Sequence, residues 1–383
     1  MPSPRDRTVS GMDFNPSETQ QAIRDTFRAF AEREVRPAAK DLDRDPRFPH
    51  ELFRKAGDLG LFGMRYPEPD GSGADMVSYV FAMEEIARGS LAVAAACAMQ
   101  SLMGTHFIHR FAQGEVRERL LGPAVRGEIV GAICMTEPDA GSDLGAISTR
   151  AVEQDGRWVL SGRKTWVTSA PVAGMFTVFA RSSEKDLSVF LVERDAAGLA
   201  VGRDIEKQGV RASLTSEVYF DETPATCLLG ELHQGTSYLR EILSPIRVMT
   251  AALAVGVARA ALEDAVAYAG QRRQFGQPIN RFQAVQTHLA DMAVDLEAAR
   301  QLTYWAAWRA DQAPGNEHEA AMAKLFASEA AYRICDRAAR VLASYGYTPD
   351  YPVERYLRDV RFTLIGGGTS EILRVNIARG LKS

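Results

Sequence analysis

What this chain lacks narrows its function before any motif is read. It has no excess of one charge: 45 Lys and Arg stand against 49 Asp and Glu, a formal net charge of −4, with the two signs interspersed. Nucleic acids and anionic membrane surfaces are recognised through clustered positive charge, so neither is expected as a partner. It has only 4 cysteines, and Cys97, Cys134, Cys227 and Cys335 show no paired spacing such as C-x-x-C. Each lies in an apolar or mixed stretch, which reads as a buried free thiol rather than a disulfide or a metal ligand. No run of about 18 uninterrupted apolar residues marks a membrane span. The opening stretch "MPSPRDRTVSGMDFNPSETQ" has no apolar core of signal-peptide length. Internal repeats and low-complexity segments are missing as well. A soluble, cytoplasmic protein acting on small molecules or other proteins is expected.

What is present divides into three textures. A chain of 383 residues exceeds what one core usually organises, so two or three packed units are expected. Ile23, Phe27, Phe30 and Val35 recur at near-helical spacing behind a Ser17/Gln20 capping box, which predicts a helix over 17–36 that ends at Pro37 or a little beyond. Helical patterning resumes over 51–59 and 77–88, and "SLAVAAACAMQSLMGTHFI" is apolar on nearly all sides, as in a helix buried within a bundle. Near Ile129 the texture changes. "EIVGAICMTE", "GRWVLSGRKTWVTSA", "MFTVFARS", "LSVFLVER" and "SEVYFDE" are short runs rich in Val, Phe, Trp and Thr, separated by turn residues at intervals typical of antiparallel sheet. After Gly235 longer helices return, over about 237–271, 281–312, 317–345, 353–363 and from 370. Gly276-Gln277-Pro278 and Ala313-Pro314-Gly315 mark breaks between them. The fold class is α+β: a helical unit over 1–128, an antiparallel β unit over 129–235 and a helical unit over 236–383. The two helical parts are expected to pack on each other with the β unit at one side.

Four stretches could carry chemistry. "ICMTEPDAGSD", 133–143, runs a strand into a turn whose Thr136, Ser142 and free backbone N–H groups could meet a flat heterocycle or a phosphate; an ordinary loop is the alternative. In "GRKTWVTSA", alternation puts Trp166 and Thr168 on one face, suited to lining an aromatic ligand or, equally, to a Trp packed in a β core. "QRRQFGQPINRFQ" is a costly way to make a turn, and Arg272 or Arg273 could clamp a pyrophosphate unless the cluster is simply solvated. "GGGTSEILRVNIARG" joins the glycines Gly366 to Gly368 to a helix start capped by Thr369 or Ser370, an anion site or a plain N-cap.

The ordered set "MTEPDAGSD", "GRKTWVTSA", "RRQFGQPINRFQ", "YPVERYLRDVR" and "GGGTSEILR" resembles the acyl-CoA dehydrogenase family of FAD flavoproteins, from about Phe14 to Arg379. The resemblance implies an N-terminal helical domain, a middle β domain and a C-terminal four-helix domain enclosing FAD in a homodimer or homotetramer. By motif position, Met135, Thr136 and Ser142 would contact the flavin side, with Trp166 and Thr168 against the isoalloxazine ring. Arg272, Gln274 and Phe275 would reach the FAD of a neighbouring subunit, Arg272 at its pyrophosphate, and Gln283 would lie in the same inter-subunit region. Thr369 and Glu371 would sit near the adenosine half. The implied reaction is α,β-dehydrogenation of an acyl thioester: a carboxylate removes the α-proton, the β-hydrogen leaves as hydride to the flavin, and the electrons pass to an electron-transfer flavoprotein.

The thioester side departs from that pattern. The family keeps its base directly before the Gly-Thr of the C-terminal motif, where this chain has Gly367, or before an arginine of the first long C-terminal helix, where it has Ile246 before Arg247. Ser244 replaces an aspartate that often meets the pantetheine arm, and Pro245 after it is expected to disturb the helix locally. Arg340, Ala343 and Ser344 stand where a Gln and a Gly-Gly pair are common. Three readings stay open. One is a dehydrogenase of an acyl thioester, on CoA or a carrier protein, with an atypical base; Glu241, five residues from the expected position, faces elsewhere on the helix. The second is a reduced-flavin monooxygenase of a bulky natural product, supplied by a flavin reductase. The third is a silent FAD-binding subunit.

Overall fold

The computed structural model describes residues 15–312 and 316–381; the stretch before Asn15 and the expected break at Ala313-Pro314-Gly315 lie outside the described residues. The first helix, α1 (Glu18–Phe30), opens on the expected capping box, with Ser17 Oγ accepting from the Gln20 amide and the Gln20 side chain accepting from the Ser17 amide. It does not stop at Pro37. A π turn over Ala31–Val35 resets the hydrogen-bond ladder and leads into α2 (Arg36–Arg44), where Pro37 falls in the first turn and its missing N–H costs nothing. Then come α3 (His50–Asp58), α4 (Met76–Gly89) and α5 (Leu91–Met99), a second π turn over Gln100–Gly104, α6 (His106–Phe111) and α7 (Gly114–Val125).

The middle unit holds β1 (Gly131–Cys134), β2 (Arg150–Gln154), β3 (Arg157–Thr168), β4 (Met175–Arg181), β5 (Leu187–Glu193), β6 (Leu199–Asp204), β7 (Thr215–Pro224) and β8 (Cys227–Leu228). They form one sheet in the order β6-β7-β3-β2-β4-β5-β8, with β1 beside β4. The sheet is mixed rather than purely antiparallel. β1 runs parallel to β4 from Gly131↔Met175 to Cys134↔Val178, and β2 meets β4 in parallel at Arg150↔Arg181. The β2–β3 hairpin is inserted between β1 and β4, so the chain re-enters beside β1 in the same direction. Apolar runs separated by turns carry no sign of direction, which is why the sequence pattern did not show this.

The C-terminal unit comprises α8 (Gly235–Gln271), α9 (Gln283–Gln312), α10 (Glu317–Leu342), α11 (Val353–Asp359), α12 (Arg361–Ile365) and α13 (Ser370–Gly380). α8, α9 and α10 pack on one another and α13 lies on α10, while α4 packs along α8. The two helical units therefore share one core, as expected. α8 continues through Pro245 as one helix, so the loss of the bond to the carbonyl four residues back stays a local matter.

Glu84 and Glu85 of α4 are 1% and 0% exposed and sit where four helices cross. Arg24 and Arg28 of α1, Arg259 of α8, and Arg300 and Tyr304 of α9 meet them. Burying two carboxylates is tolerable only with such pairing, so the cluster fixes how the helical units dock. Leu91–Phe111 and Gly235–Gln271 are long and apolar enough to cross a membrane by mean hydropathy, although polar residues interrupt both, and 89% and 83% of those windows are buried inside this fold. All four cysteines are free; Cys227 is half-buried and the others buried.

Candidate active site

The loop after β1 is held by a buried ion pair. Lys164 of β3, 0% exposed at its side chain, donates from Nζ to the Met135 carbonyl at 3.0 Å and to Glu137 Oε1 at 2.8 Å. Glu137 also accepts from the Ser148 amide and hydroxyl and from the Thr149 amide. Burial pushes the Glu137 carboxyl up, but the hydrogen bonds from Lys164, Ser148 and Thr149 outweigh it and hold the pKa at about 2. A further bond from the Thr165 amide to the Thr136 carbonyl, 2.9 Å, seats Met135 and Thr136 beside β3. Both members of the ion pair lie in stretches quoted for their chemistry, yet neither was assigned a role; a lysine beside an exposed Arg163 on a strand was the available signal.

A β-bulge between Lys164 and Val167 breaks the alternation of β3. Val167 turns inward, 1% exposed, while Trp166 is held at φ +56 with 58% of its surface exposed. The left-handed region costs a non-glycine residue roughly 1–2 kcal/mol, and nothing in the core is gained by it. The packed-Trp reading is therefore overturned. Thr168 is half-buried, and the buried Ser169 hydroxyl has no partner among the described residues. An outward indole flanked by the Met135-Thr136 loop and an unsatisfied hydroxyl fits a flat heteroaromatic ring such as an isoalloxazine. Ser142 is exposed on the outer turn of the same loop.

The glycine loop joins α12 to α13. Thr369 caps α13, its Oγ1 accepting from the Ile372 amide at 3.3 Å, and Lys324 of α10 donates to the Gly368 carbonyl at 2.6 Å. Burial, then the nearby Arg247 charge, bring the Lys324 ammonium down to about 8. Gly367 has φ +73, and a Cβ there would lie 3.0 Å from Thr250 Oγ1 and 3.4 Å from Ile246 Cγ2. Gly367 and Ile246, the two positions that the resemblance marks for a base, are thus neighbours in space, and neither carries a carboxylate. Glu241 pairs with Arg110 at the surface, and Ser244 Oγ donates to Asn316 Oδ1 at 2.5 Å inside the protein. Neither is aimed at Gly367.

Thr369 and Glu371 line a cleft of about 490 Å³ together with Tyr332, Arg333, Arg361 and Ile365. No residue of the β unit lines it. Arg272, Gln274 and Phe275 form a third patch, on the short hairpin between α8 and α9, where Phe275 (φ +48) and Gly276 (φ +81) make the turn. Phe275 is 93% exposed, and Gln283 at the start of α9 is exposed too. Within one chain the expected cofactor residues are gathered into these three patches. Among the described residues no His, Cys, Asp and Glu group is placed to hold a metal ion.

The same fold recurs in known proteins. The chain matches the acyl-CoA dehydrogenase N-terminal domain over residues 17–128, the middle domain over 132–223 and the C-terminal domain over 233–382. It is 55% identical over 381 residues to the benzylmalonyl-CoA dehydrogenase of Aromatoleum aromaticum, covering 97% of this chain and 100% of that one. The solved complex of glutaryl-coenzyme A dehydrogenase with glutaryl-CoA superposes with a TM-score of 0.94 at 35% identity, covering 97% of each chain. The FAD complex of PigA superposes at 0.93 and 28% identity, over 97% of this chain and 99% of that one. With the helix–sheet–helix order, the outward indole and the glycine loop already in place, the chain belongs to the acyl-CoA dehydrogenase family of oxidoreductases.

Proposed function

We propose that this protein is an FAD-dependent dehydrogenase of an acyl-CoA thioester bearing a carboxylate on its α-carbon, and that loss of CO2 takes the place of α-proton abstraction. The observation that carries this reading is the pair Gly367 and Ile246, adjacent in space and both without a carboxylate. Ordinary α,β-dehydrogenation needs a base within hydrogen-bond reach of the α-proton. A benzylmalonyl thioester, the kind of molecule for which the 55%-identical relative is named, does not. The bond between the α-carbon and the carboxylate breaks, and its electron pair becomes the second bond of the α,β double bond as the β-hydrogen leaves with its own pair. The α-hydrogen stays. The products are an enoyl thioester, CO2 and a hydride equivalent, and no proton is transferred. FAD, when bound, accepts that hydride.

The chain's own residues favour this path. A glutamate at 367 or 246 would set one carboxylate against another, a repulsion of about 4 kcal/mol at ~4 Å and an effective dielectric of ~20. Gly367 leaves room, and Ile246, 4% exposed, offers an apolar wall that disfavours the charged carboxylate relative to neutral CO2. Met135, Thr136 and Ser142 hold the flavin side, with Trp166 and Thr168 at the ring. Arg272, Gln274, Phe275 and Gln283 complete the site of a neighbouring copy, and Thr369 with Glu371 serves the adenosine half. Separate patches on one chain support a site built between copies, hence a homodimer or homotetramer. The domains divide at 1–128, 129–235 and 236–383, the protein is cytoplasmic, and an electron-transfer flavoprotein takes the electrons. The reduced-flavin monooxygenase reading, with its flavin reductase, gains no support from these relatives.

The test is anaerobic mixing of the FAD-loaded protein with benzylmalonyl-CoA or with 3-phenylpropionyl-CoA, its counterpart without the α-carboxylate. The flavin is expected to bleach with the first, releasing one CO2 per flavin reduced. Equally fast bleaching by the second would overturn base-free oxidation.

A further inference from the structure

A second chamber, of about 210 Å³, lies between the N-terminal helices and α8. Its apolar walls include Phe62, Leu102, Ile242 and Pro245, and its polar lining is Arg65, Tyr66, Tyr79, Ser101, His106 and His109. Ile242, Pro245 and Ile246 stand at i, i+3 and i+4, one stripe of α8. The chamber therefore adjoins, along that stripe, the place where Ile246 meets Gly367.

Its charge is uneven. Arg65 is half-buried and makes no hydrogen bond or ion pair with any described residue; its guanidinium lies 5.9 Å from the centre of the Tyr79 ring. Nearby carboxylates are committed elsewhere: Asp70 to Arg117 and His109, and Asp311 to the Met76 amide. The hydroxyls of Tyr79 and Tyr66 are committed to Ser101 and Thr105. Burial, with the Arg65 charge next, brings the His106 imidazole down to about 4, so it is neutral at physiological pH. Among the described residues no Asp or Glu lines the chamber. A planar five-donor fork on the chamber wall with no acceptor among the described residues is open to one from a ligand, and a carboxylate fits it with two parallel bonds.

We propose that Arg65 is the specificity-determining residue of this enzyme, receiving a carboxylate carried on the acyl group of the thioester substrate. The assignment rests on the α-carboxylate reading above and deepens it: Gly367 and Ile246 remove a negative charge that would repel the substrate's carboxylate, and Arg65 provides the positive charge on the chamber wall that attracts it. A simple fatty acyl thioester leaves the guanidinium unfilled, so the same residue selects against it.

The experiment separates binding from chemistry. With the flavin reduced beforehand, so that no turnover occurs, calorimetry measures the affinity of the holoenzyme for benzylmalonyl-CoA and 3-phenylpropionyl-CoA, and of succinyl-CoA against butyryl-CoA. The wild type is expected to bind at least one carboxylated member about tenfold to a hundredfold more tightly than its uncharged counterpart, the range of a charge-assisted bond. Arg65→Met abolishes that preference while leaving affinity for the uncharged members within about threefold, which also shows that the variant is folded. Arg65→Lys retains part of the preference. Equal weakening of both members of every pair in Arg65→Met, or a wild type without preference, would overturn the proposal. An Arg65-dependent preference without CO2 release contradicts the base-free reading alone; CO2 release with selectivity intact in Arg65→Met contradicts the role of Arg65 alone.

Discussion

Ile246→Glu places a carboxylate beside Gly367, and on this account it harms the native reaction. Position 246 is helical, so the substitution carries no backbone strain, unlike Gly367 at φ +73. It is 4% exposed, so a glutamate there is little screened by water. A substrate carboxylate about 4 Å away at an effective dielectric of about 20 meets a repulsion of about 4 kcal/mol, roughly a thousandfold in kcat/KM. Burial will raise the pKa of the new glutamate, so the effect is fully developed only when it is ionised, at about pH 8 to 9. The assay is anaerobic flavin reduction at that pH by benzylmalonyl-CoA and 3-phenylpropionyl-CoA, with Ile246→Gln as the neutral control for size and polarity. Ile246→Glu should lose about a thousandfold on the first substrate and gain about a hundredfold on the second, the usual worth of a positioned base. Ile246→Gln should stay within about tenfold of wild type on the first. If the Glu and Gln variants behave alike on benzylmalonyl-CoA, the charge argument is wrong.

Glu137→Gln leaves the wholly buried Lys164 without a counter-charge and should cost about 3 kcal/mol or more, read as a fall in the denaturation midpoint. Because the folded Glu137 carboxyl is held at about 2, below its ordinary value, its contribution is complete above that ordinary value and is lost as pH falls toward 2. The acid limb of the stability profile should accordingly flatten in the variant. Phe275→Asp should leave the fold of the single chain intact, since the side chain is 93% exposed, yet lower the assembled mass and the retained FAD; light scattering and flavin absorbance check this, and unchanged values would refute the inter-subunit role. Ala343 holds φ +53, which glycine adopts without strain, so Ala343→Gly should stabilise the protein by about 1 kcal/mol, measurable as a small rise in Tm.

Much of the architecture was legible because local rules and tertiary packing agree. The Ser17/Gln20 capping box, the all-round apolar α5 and the Gly-Gln-Pro turn before α9 each appear where their residues predict. Misreadings arose where non-local pairing decided. Strand direction in β1 follows from which strand it meets some forty residues later, not from its own composition. The outward turn of Trp166 comes from a bulge that alternation alone does not reveal, and Pro37 passes into α2 because a π turn precedes it. The site was legible as motifs and as two missing carboxylates. That Gly367 and Ile246 touch the same space, that Ser244 is turned inward to Asn316, and that Arg65 has no counter-ion among the described residues all depend on helices distant in sequence.

The central claim, that CO2 leaves in place of an α-proton, is tested most directly by the fate of the α-hydrogen. FAD-loaded protein and benzylmalonyl-CoA are mixed anaerobically in 2H2O, the enoyl thioester is isolated after a single turnover, and its α-carbon is read by mass spectrometry, with recovered substrate as the control for spontaneous exchange. The account predicts that the product keeps its original α-protium and that one CO2 appears per flavin reduced. Deuterium at the α-carbon of the product, or flavin reduction with the carboxylate retained, would contradict it.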